Sequence, residues 1–372
     1  MIEHTAVDGA EPGFIHDAID RSDPLPGSGG FAGRIEHGKR GPVLARDVLG
    51  RRPLFSERDS IDPTAKPAYA FSPTELDEPI AVPAGVLRSI DGDMQHWTLP
   101  QLPAHSEPVA MDRITDAVGE SISAVAERDL AVAFSGGVDS ALVASAVQDA
   151  PCYVVGFEGS HDVEKAKQAA DSMGRSLTVV EITHDDLIRA IPRIATAINR
   201  TNPMDIAIAL PLYLVAKKAH SDGYNRLALG QGADELFGGY SKHVSPADDH
   251  RVNADTVRGA IRESIGTLPA QLERDVLTLR SVGVEPVTPY LHDRVIVAAL
   301  GLPASLLATP SERKIALRRI AADHLPEPVY TADKKAVQYG TYVSRELDRL
   351  ARQAGFKRRM DDHVGQYIRS LL

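Results

Sequence analysis

The sequence predicts an α/β protein in which a parallel sheet interleaved with helices follows a β-rich N-terminal module. Three observations carry this. From Val109 onward, short apolar runs alternate with segments of helical spacing, the signature of βαβ units and a parallel sheet covered on both faces. Residues 1 to about 105 hold many Gly and Pro, short apolar runs and little helical periodicity, which reads as a β-rich module. Between residues 131 and 147 an apolar run enters a Ser/Gly turn and emerges with helical spacing.

Taken in order, the Pro-rich stretch 99–108 (LPQLPAHSEP) reads as a linker, dividing the chain into residues 1–105 and 106–372. Candidate strands follow at Leu130–Phe134, Cys152–Phe157, Leu177–Ile182 and Arg226–Gly230. Asp162–Met173, Asp185–Ile198 and Ile206–His220 carry helical spacing between them. Residues 253–372 read as mostly helical, with a basic patch at Lys357-Arg358-Arg359 expected on a solvated helix face.

Composition narrows the class. A length of 372 residues argues for two domains. A net charge of −10 (41 Lys plus Arg against 51 Asp plus Glu) gives no general footprint for nucleic acid. Cys152 is the single cysteine, which excludes an intramolecular disulfide and a cysteine-rich zinc site. No apolar run approaches the roughly 18 residues that span a bilayer, and the first residues lack the pattern of a signal peptide. A cytoplasmic enzyme is the expectation.

The chemistry concentrates at Ser135-Gly136-Gly137-Val138-Asp139-Ser140, between a strand and a helix. A helix N-terminus presents unpaired N–H groups and a positive dipole end, which suit a phosphate. Gly136 and Gly137 let backbone approach a ligand closely. Ser135 and Ser140 add hydroxyls, and Asp139 adds a hard oxygen for Mg²⁺. The alternative is an ordinary strand–turn–helix with Ser as cap. The loop lacks the Lys of the loop that grips β- and γ-phosphates. It matches instead the SGGxDS loop of enzymes that cleave ATP between the α- and β-phosphates.

A second glycine–acid motif follows the strand at Arg226: Gln231-Gly232-Ala233-Asp234-Glu235-Leu236-Phe237-Gly238-Gly239-Tyr240. Asp234 is expected to share Mg²⁺ with Asp139. Alternatively, Asp234 and Glu235 are simple helix N-terminal carboxylates.

These two motifs resemble SGGLDS and GEGADELFGGY of the asparagine synthetase family, over roughly residues 110–345. Val154–Phe157, Leu210–Leu214 (LPLYL), 283–293 (GVEPVTPYLHD), Lys314–Ile320 and 333–340 (DKKAVQYG) extend the match. The last motif is closest to eukaryotic asparagine-synthetase-domain-containing proteins and their archaeal relatives. The resemblance implies an adenine nucleotide α-hydrolase-like synthetase domain that uses ATP and Mg²⁺. Carried over by match, Ser135, Gly136, Gly137, Asp139 and Ser140 cradle pyrophosphate, and Asp139 and Asp234 hold the metal. Phe134, Val155, Leu229 and Gly230 lie on the adenosine side. Lys334 aligns with the catalytic lysine, Lys335 being the fallback; a surface Lys pair is the alternative.

The front end resembles part of the family's glutaminase domain through 44–55 (LARDVLGRRPLF), 71–75 (FSPTE) and Pro83-Ala84-Gly85. That domain uses an N-terminal cysteine as nucleophile, whereas position 2 here is Ile2. The front module is therefore expected to be a degenerate remnant of an N-terminal-nucleophile glutaminase-like domain, with no nucleophile. Nitrogen would come from free ammonia or a separate glutaminase subunit. Two departures bear on the acceptor. Gln231 replaces the family's glutamate, and an amide can orient an amine but cannot act as its base. The stretch Pro203–Ala209 lacks the family's Arg and carries Asp205.

The resulting expectation is a carbon–nitrogen ligase of asparagine biosynthesis. It would adenylate a small carboxylate, aspartate first, and amidate it with ammonia, with no membrane or nucleic-acid partner. An RNA-modifying ATP pyrophosphatase and an ATP-binding, non-catalytic regulator are the alternatives.

Overall fold

The computed structural model describes residues 6–38, 40–125, 129–332 and 336–372. The chain forms two compact units. One comprises residues 1–121, 231–273 and 288–316; the other comprises 122–230, 274–287 and 317–372.

The first unit contains two antiparallel sheets. Strands β1 (Val7–Asp8), β2 (Ala32–His37), β3 (Gly41–Arg46), β7 (Val86–Ser89) and β8 (Gly92–Gln95) form one, in the order β1-β2-β3-β7-β8. Strands β4 (Phe55–Glu57), β5 (Tyr69–Ala70) and β6 (Pro79–Ala81) form the other, with β4 central. Alternation along β2 and β3 sends neighbouring residues to opposite faces. Ile35, Val43 and Ala45 pack with Phe31, Leu87 and Trp97, whereas Ala32 and Leu44 pack with Leu54, Tyr69 and Val82. The β-rich reading of this region holds. It also contains a helix that the sequence reading passed over, Pro12–Arg21. That helix is ten residues long and buries only Ile15, Ala18 and Ile19, so its periodicity is too brief to stand out.

The expected linker has no regular element before the helix Glu107–Ser123 begins. It is nevertheless strapped down. Arg262 donates to the carbonyls of Pro100 and Leu99, and Arg258 donates to that of Leu102.

The second unit carries the parallel sheet: β9 (Leu130–Ala133), β10 (Cys152–Gly156), β11 (Leu177–Glu181), β12 (Arg226–Ala228) and β13 (Glu285–Val287). Its order is β11-β10-β9-β12-β13, every pair parallel. The order reverses between β9 and β12, which makes that junction the topological switch point. Four of these strands were expected. The edge strand β13 was not, because three residues with Pro286 at the centre read as a loop. The helices Val138–Ala146, His161–Met173, His184–Ile198 and Pro203–Ser221 match the expected helical segments within a few residues.

The basic patch is a correction. Residues 357–359 lie in the turn after the helix Val343–Gln353, not on a helix face, and Arg358 bonds Asp348 through Nε (2.9 Å) and Nη2 (2.7 Å). Among the described residues, no helix is long and apolar enough to cross a membrane.

Candidate active site

The glycine loop of the second unit is built by local rules. Strand β9 ends at Ala133, and the helix Val138–Ala146 begins five residues later. Gly136 makes the turn with φ +69°, and a Cβ there would come within 2.7 Å of the Lys165 carbonyl oxygen. Only glycine combines that dihedral with that contact. The loop closes on itself, since Ser135 N donates to Ser140 Oγ (3.2 Å) and Ser140 Oγ donates to the Gly137 carbonyl (3.2 Å). The proton of Ser140 is thus spent on the loop's shape. Asp139, in the first helical turn, is 1% exposed.

Three adjacent strands bring the expected nucleoside-side positions together at their carboxyl ends. Phe134 follows β9, Val155 lies near the end of β10, and Leu229-Gly230 follow β12. Gly230 lies so close to the loop that a Cβ on it would stand 2.7 Å from Asp139 Cβ. Phe134, Val155 and Leu229 are buried. Six of the expected residues (Ser135, Gly136, Gly137, Asp139, Ser140 and Gly230) therefore converge at the switch point. Helix N-terminal N–H groups, hydroxyls and a hard carboxylate form a donor set suited to a polyphosphate and to Mg²⁺.

Asp205 belongs to the same unit, and its charge is compensated from afar. The Asn202 amide donates to it at 2.6 Å, Arg274 Nη1 lies at 3.1 Å and Arg200 Nη1 at 3.4 Å. Burial alone would raise this carboxyl, but these partners hold it below the usual carboxylate range. The opposite charge noted at this helix start is therefore neutralised by two guanidiniums.

The second motif belongs to the first unit. Gln231 precedes Gly232, which has φ +89° and lies against Leu291. The short helix Ala233–Phe237 then carries Asp234 and Glu235. Asp234 Oδ1 meets Lys314 Nζ at 2.6 Å, and Lys314 is itself 5% exposed. Gly239 leaves room for that pair, because a Cβ on it would overlap Asp234 Oδ1 and stand 2.5 Å from Lys314 Cε. Glu235 is buried and accepts from the Tyr240 hydroxyl at 2.5 Å. Burial pushes its carboxyl up and neighbouring Asp234 adds to this, while Tyr240 and Lys314 oppose the rise. His243, fully buried against Ser264 Oγ (2.8 Å), is pushed down to about 4 by burial and by Lys242.

Lys314 and Tyr240 lie within the matched motifs, and the structure gives them partners there, Asp234 and Glu235. Lys314 stands 80 residues from Asp234, and no local pattern in the sequence pairs the two. Lys334 and Lys335 lie outside the described residues.

The segment 44–55 adds a buried ion network inside the first unit. Arg51 bonds Asp47 through Nε (2.9 Å) and Asp293 through Nη1 (2.7 Å), and Nη1 also donates to the Leu291 carbonyl (2.7 Å). Arg46 reaches Glu273 at 3.0 Å. Leu291 thus carries the Gly232 backbone on one side and is held by Arg51 on the other.

Comparisons with known proteins point to one family. A family profile described as asparagine synthase matches residues 111–266 and 258–368. A candidate glutamine-hydrolyzing asparagine synthetase of Methanocaldococcus jannaschii is 28% identical over 274 residues, covering 64% of this chain and 50% of that protein. The glutamine-hydrolyzing asparagine synthetase of Asparagus officinalis is 24% identical over 347 residues, covering 81% and 55%. The glutamine-hydrolyzing asparagine synthetase 1 of Bacillus subtilis is 31% identical over 170 residues, covering 42% and 26%. The chain spans about half the length of the first two. Over most of its length, from residue 111 to residue 368, this chain belongs to the asparagine synthase family.

Proposed function

We propose that this chain is an ATP-dependent ligase that adenylates a small carboxylate and amidates it with ammonia, aspartate being the first acceptor to test. The observation that carries the reading is the closed Ser135–Ser140 loop at the switch point, with Gly136 in the left-handed region and Gly230 against Asp139. The acceptor carboxylate attacks the α-phosphorus, and the bond to the bridging oxygen breaks with loss of pyrophosphate. Ammonia then attacks the acyl carbon, gives up a proton and expels AMP.

In this reading Ser135, Gly136, Gly137 and the helix start hold the β- and γ-phosphates while Ser140 keeps the loop closed. Phe134, Val155, Leu229 and Gly230 border the nucleoside. Asp139 and Asp234 are the residues that would hold Mg²⁺, which would neutralise charge on the departing pyrophosphate. Lys334, with Lys335 as fallback, steadies charge at the α-phosphate. Gln231 orients the incoming amine by hydrogen bonding and leaves its proton to another base. Lys314 fixes the Asp234 carboxylate. Removing a cation or donor of this kind costs on the order of 10²–10³ in rate.

Residues 1–105 are, on this view, a degenerate glutaminase-like domain, and 106–372 the synthetase domain of a cytoplasmic enzyme. Ammonia from solution or from a separate subunit is the nitrogen source. Supporting this, the one cysteine, Cys152, is fully buried in β10, and burial pushes its thiol up despite Arg175 beside it.

Purified protein incubated with Mg-ATP, aspartate and ammonium should release AMP, pyrophosphate and asparagine in equal amounts, and Asp139→Ala should abolish all three. Nucleotide binding without pyrophosphate release across a panel of carboxylates would favour the regulator reading suggested by Gln231. RNA-dependent pyrophosphate release would replace the ligase with the RNA-modifying reading.

A further inference from the structure

Away from both motifs, the helix Pro12–Arg21 and the strand Ala32–His37 bring His16, Asp20 and His37 together, their ligand atoms all within 4.8 Å of one another. His16 Nδ1 lies 3.4 Å from Asp20 Oδ2, and His37 Nε2 lies 3.1 Å from Asp20 Oδ1. Donors around a tetrahedral zinc, each bound at about 2.0–2.1 Å, stand about 3.3 Å apart. Both imidazole–carboxylate separations are of that size, each to a different oxygen of Asp20, so an ion held by one oxygen needs only a small movement of the other imidazole. His16 and Asp20 sit one helical turn apart and so share a face. The two imidazole rings are stacked, at 26° with centroids 5.3 Å apart, and each meets one oxygen of the carboxylate.

The three side chains differ in a useful way. His37 is buried and ends a paired strand, which gives a rigid anchor. The side chains of His16 and Asp20 are 39% and 54% exposed, which leaves an entry path and a position for water. Two imidazoles and one carboxylate with an open position is the donor set of three-ligand zinc sites. It selects borderline first-row ions over Ca²⁺ or Mg²⁺, which demand oxygen. We propose that His16, Asp20 and His37 form a binding site for a divalent transition-metal ion, with zinc as the probe.

His37 Nδ1 is buried without a hydrogen-bond partner among the described residues, so no neighbour orients that ring from behind. Missing support of this kind weakens metal affinity by about 10–100-fold. Binding should accordingly be micromolar rather than nanomolar. The test is equilibrium dialysis of the full chain against Zn²⁺ with metal analysis, paired with visible absorption on Co²⁺ addition. One zinc per chain, a Co²⁺ d–d band, and loss of both in His16→Ala and Asp20→Asn are expected. These two exposed positions can change without emptying the core, and circular dichroism checks the fold. Zinc should also raise the Tm of the parent chain and leave that of the Asp20→Asn chain unmoved. No zinc bound at micromolar free metal would overturn the proposal, as would stoichiometry unchanged in the double variant His16→Ala/Asp20→Asn.

Discussion

The two glycine–acid loops look alike in sequence and are built in opposite ways. Ser135–Ser140 closes on itself within six residues: one left-handed glycine makes the turn, and one serine hydroxyl pins it. Gln231–Tyr240 is assembled from a distance. Its Asp234 is answered by Lys314, its Gly232 backbone lies on Leu291, and Leu291 is held by Arg51. A phosphate cradle needs backbone geometry, which short-range rules supply. A loop that gathers acidic groups in a partly dry place needs cations, and these come from wherever the fold can deliver them.

Replacing Arg51 tests this difference most severely. Arg51→Met leaves Asp47 and Asp293 buried with their backbone hydrogen bonds but without Arg51's charge, which costs about 3–5 kcal/mol. Amide exchange should speed up in 232–240 and leave 135–140 protected; equal loss in both segments would mean that the loops are not independently braced. Gly136→Ala should do the reverse. It forces a side chain into the left-handed region and against the Lys165–Ala166 backbone, costing about 2–4 kcal/mol, and should raise exchange in 135–140 alone.

One large pH response lies just beyond the second loop, at His243. His243 is held at about 4 when folded against 6.5 unfolded, so the unfolded chain takes up the extra proton. Its contribution, on the order of 2–3 kcal/mol, is complete above pH 6.5 and drains away as pH falls towards 4. Glu235 runs the other way: its raised carboxyl contributes below its unfolded value and loses that contribution as pH rises through the folded one. Denaturation midpoints measured between pH 4 and 7 should therefore rise less steeply with pH in His243→Gln than in the parent chain. A slope unchanged by the substitution would assign the response elsewhere. The smallest effect is expected from Lys314→Met. Asp234 keeps partial solvent contact, so the loss should be about 1–2 kcal/mol in chemical denaturation, together with weaker Mg²⁺ dependence in the ATP assay.

The same contrast explains how much could be read from the residues alone. The parallel sheet, its helices and the closed loop were legible because each rests on neighbours in sequence, such as the apolar run of β9 followed by Gly136. β13 was invisible because its identity comes from pairing with β12, some sixty residues earlier, and not from its own Glu-Pro-Val. Lys314 and the Arg51–Asp293 bridge were unreadable for the same reason, since no local pattern says which charge a buried carboxylate will meet. The basic residues at 357–359 misled because a charge run looks alike on a helix face and in a turn.

The threading of the chain between its two units has a consequence for synthesis. The first unit needs residues 288–316 and the second needs β13 and residues 317–372, so both wait for the last third of the chain and the second is completed last. Until residues 285–287 leave the ribosome, β12 is the open edge of a growing parallel sheet, with unpaired amides ready to recruit a foreign strand. Both units are thus completed only late in synthesis. Slow translation or truncation between residues 231 and 284 should be where aggregation begins.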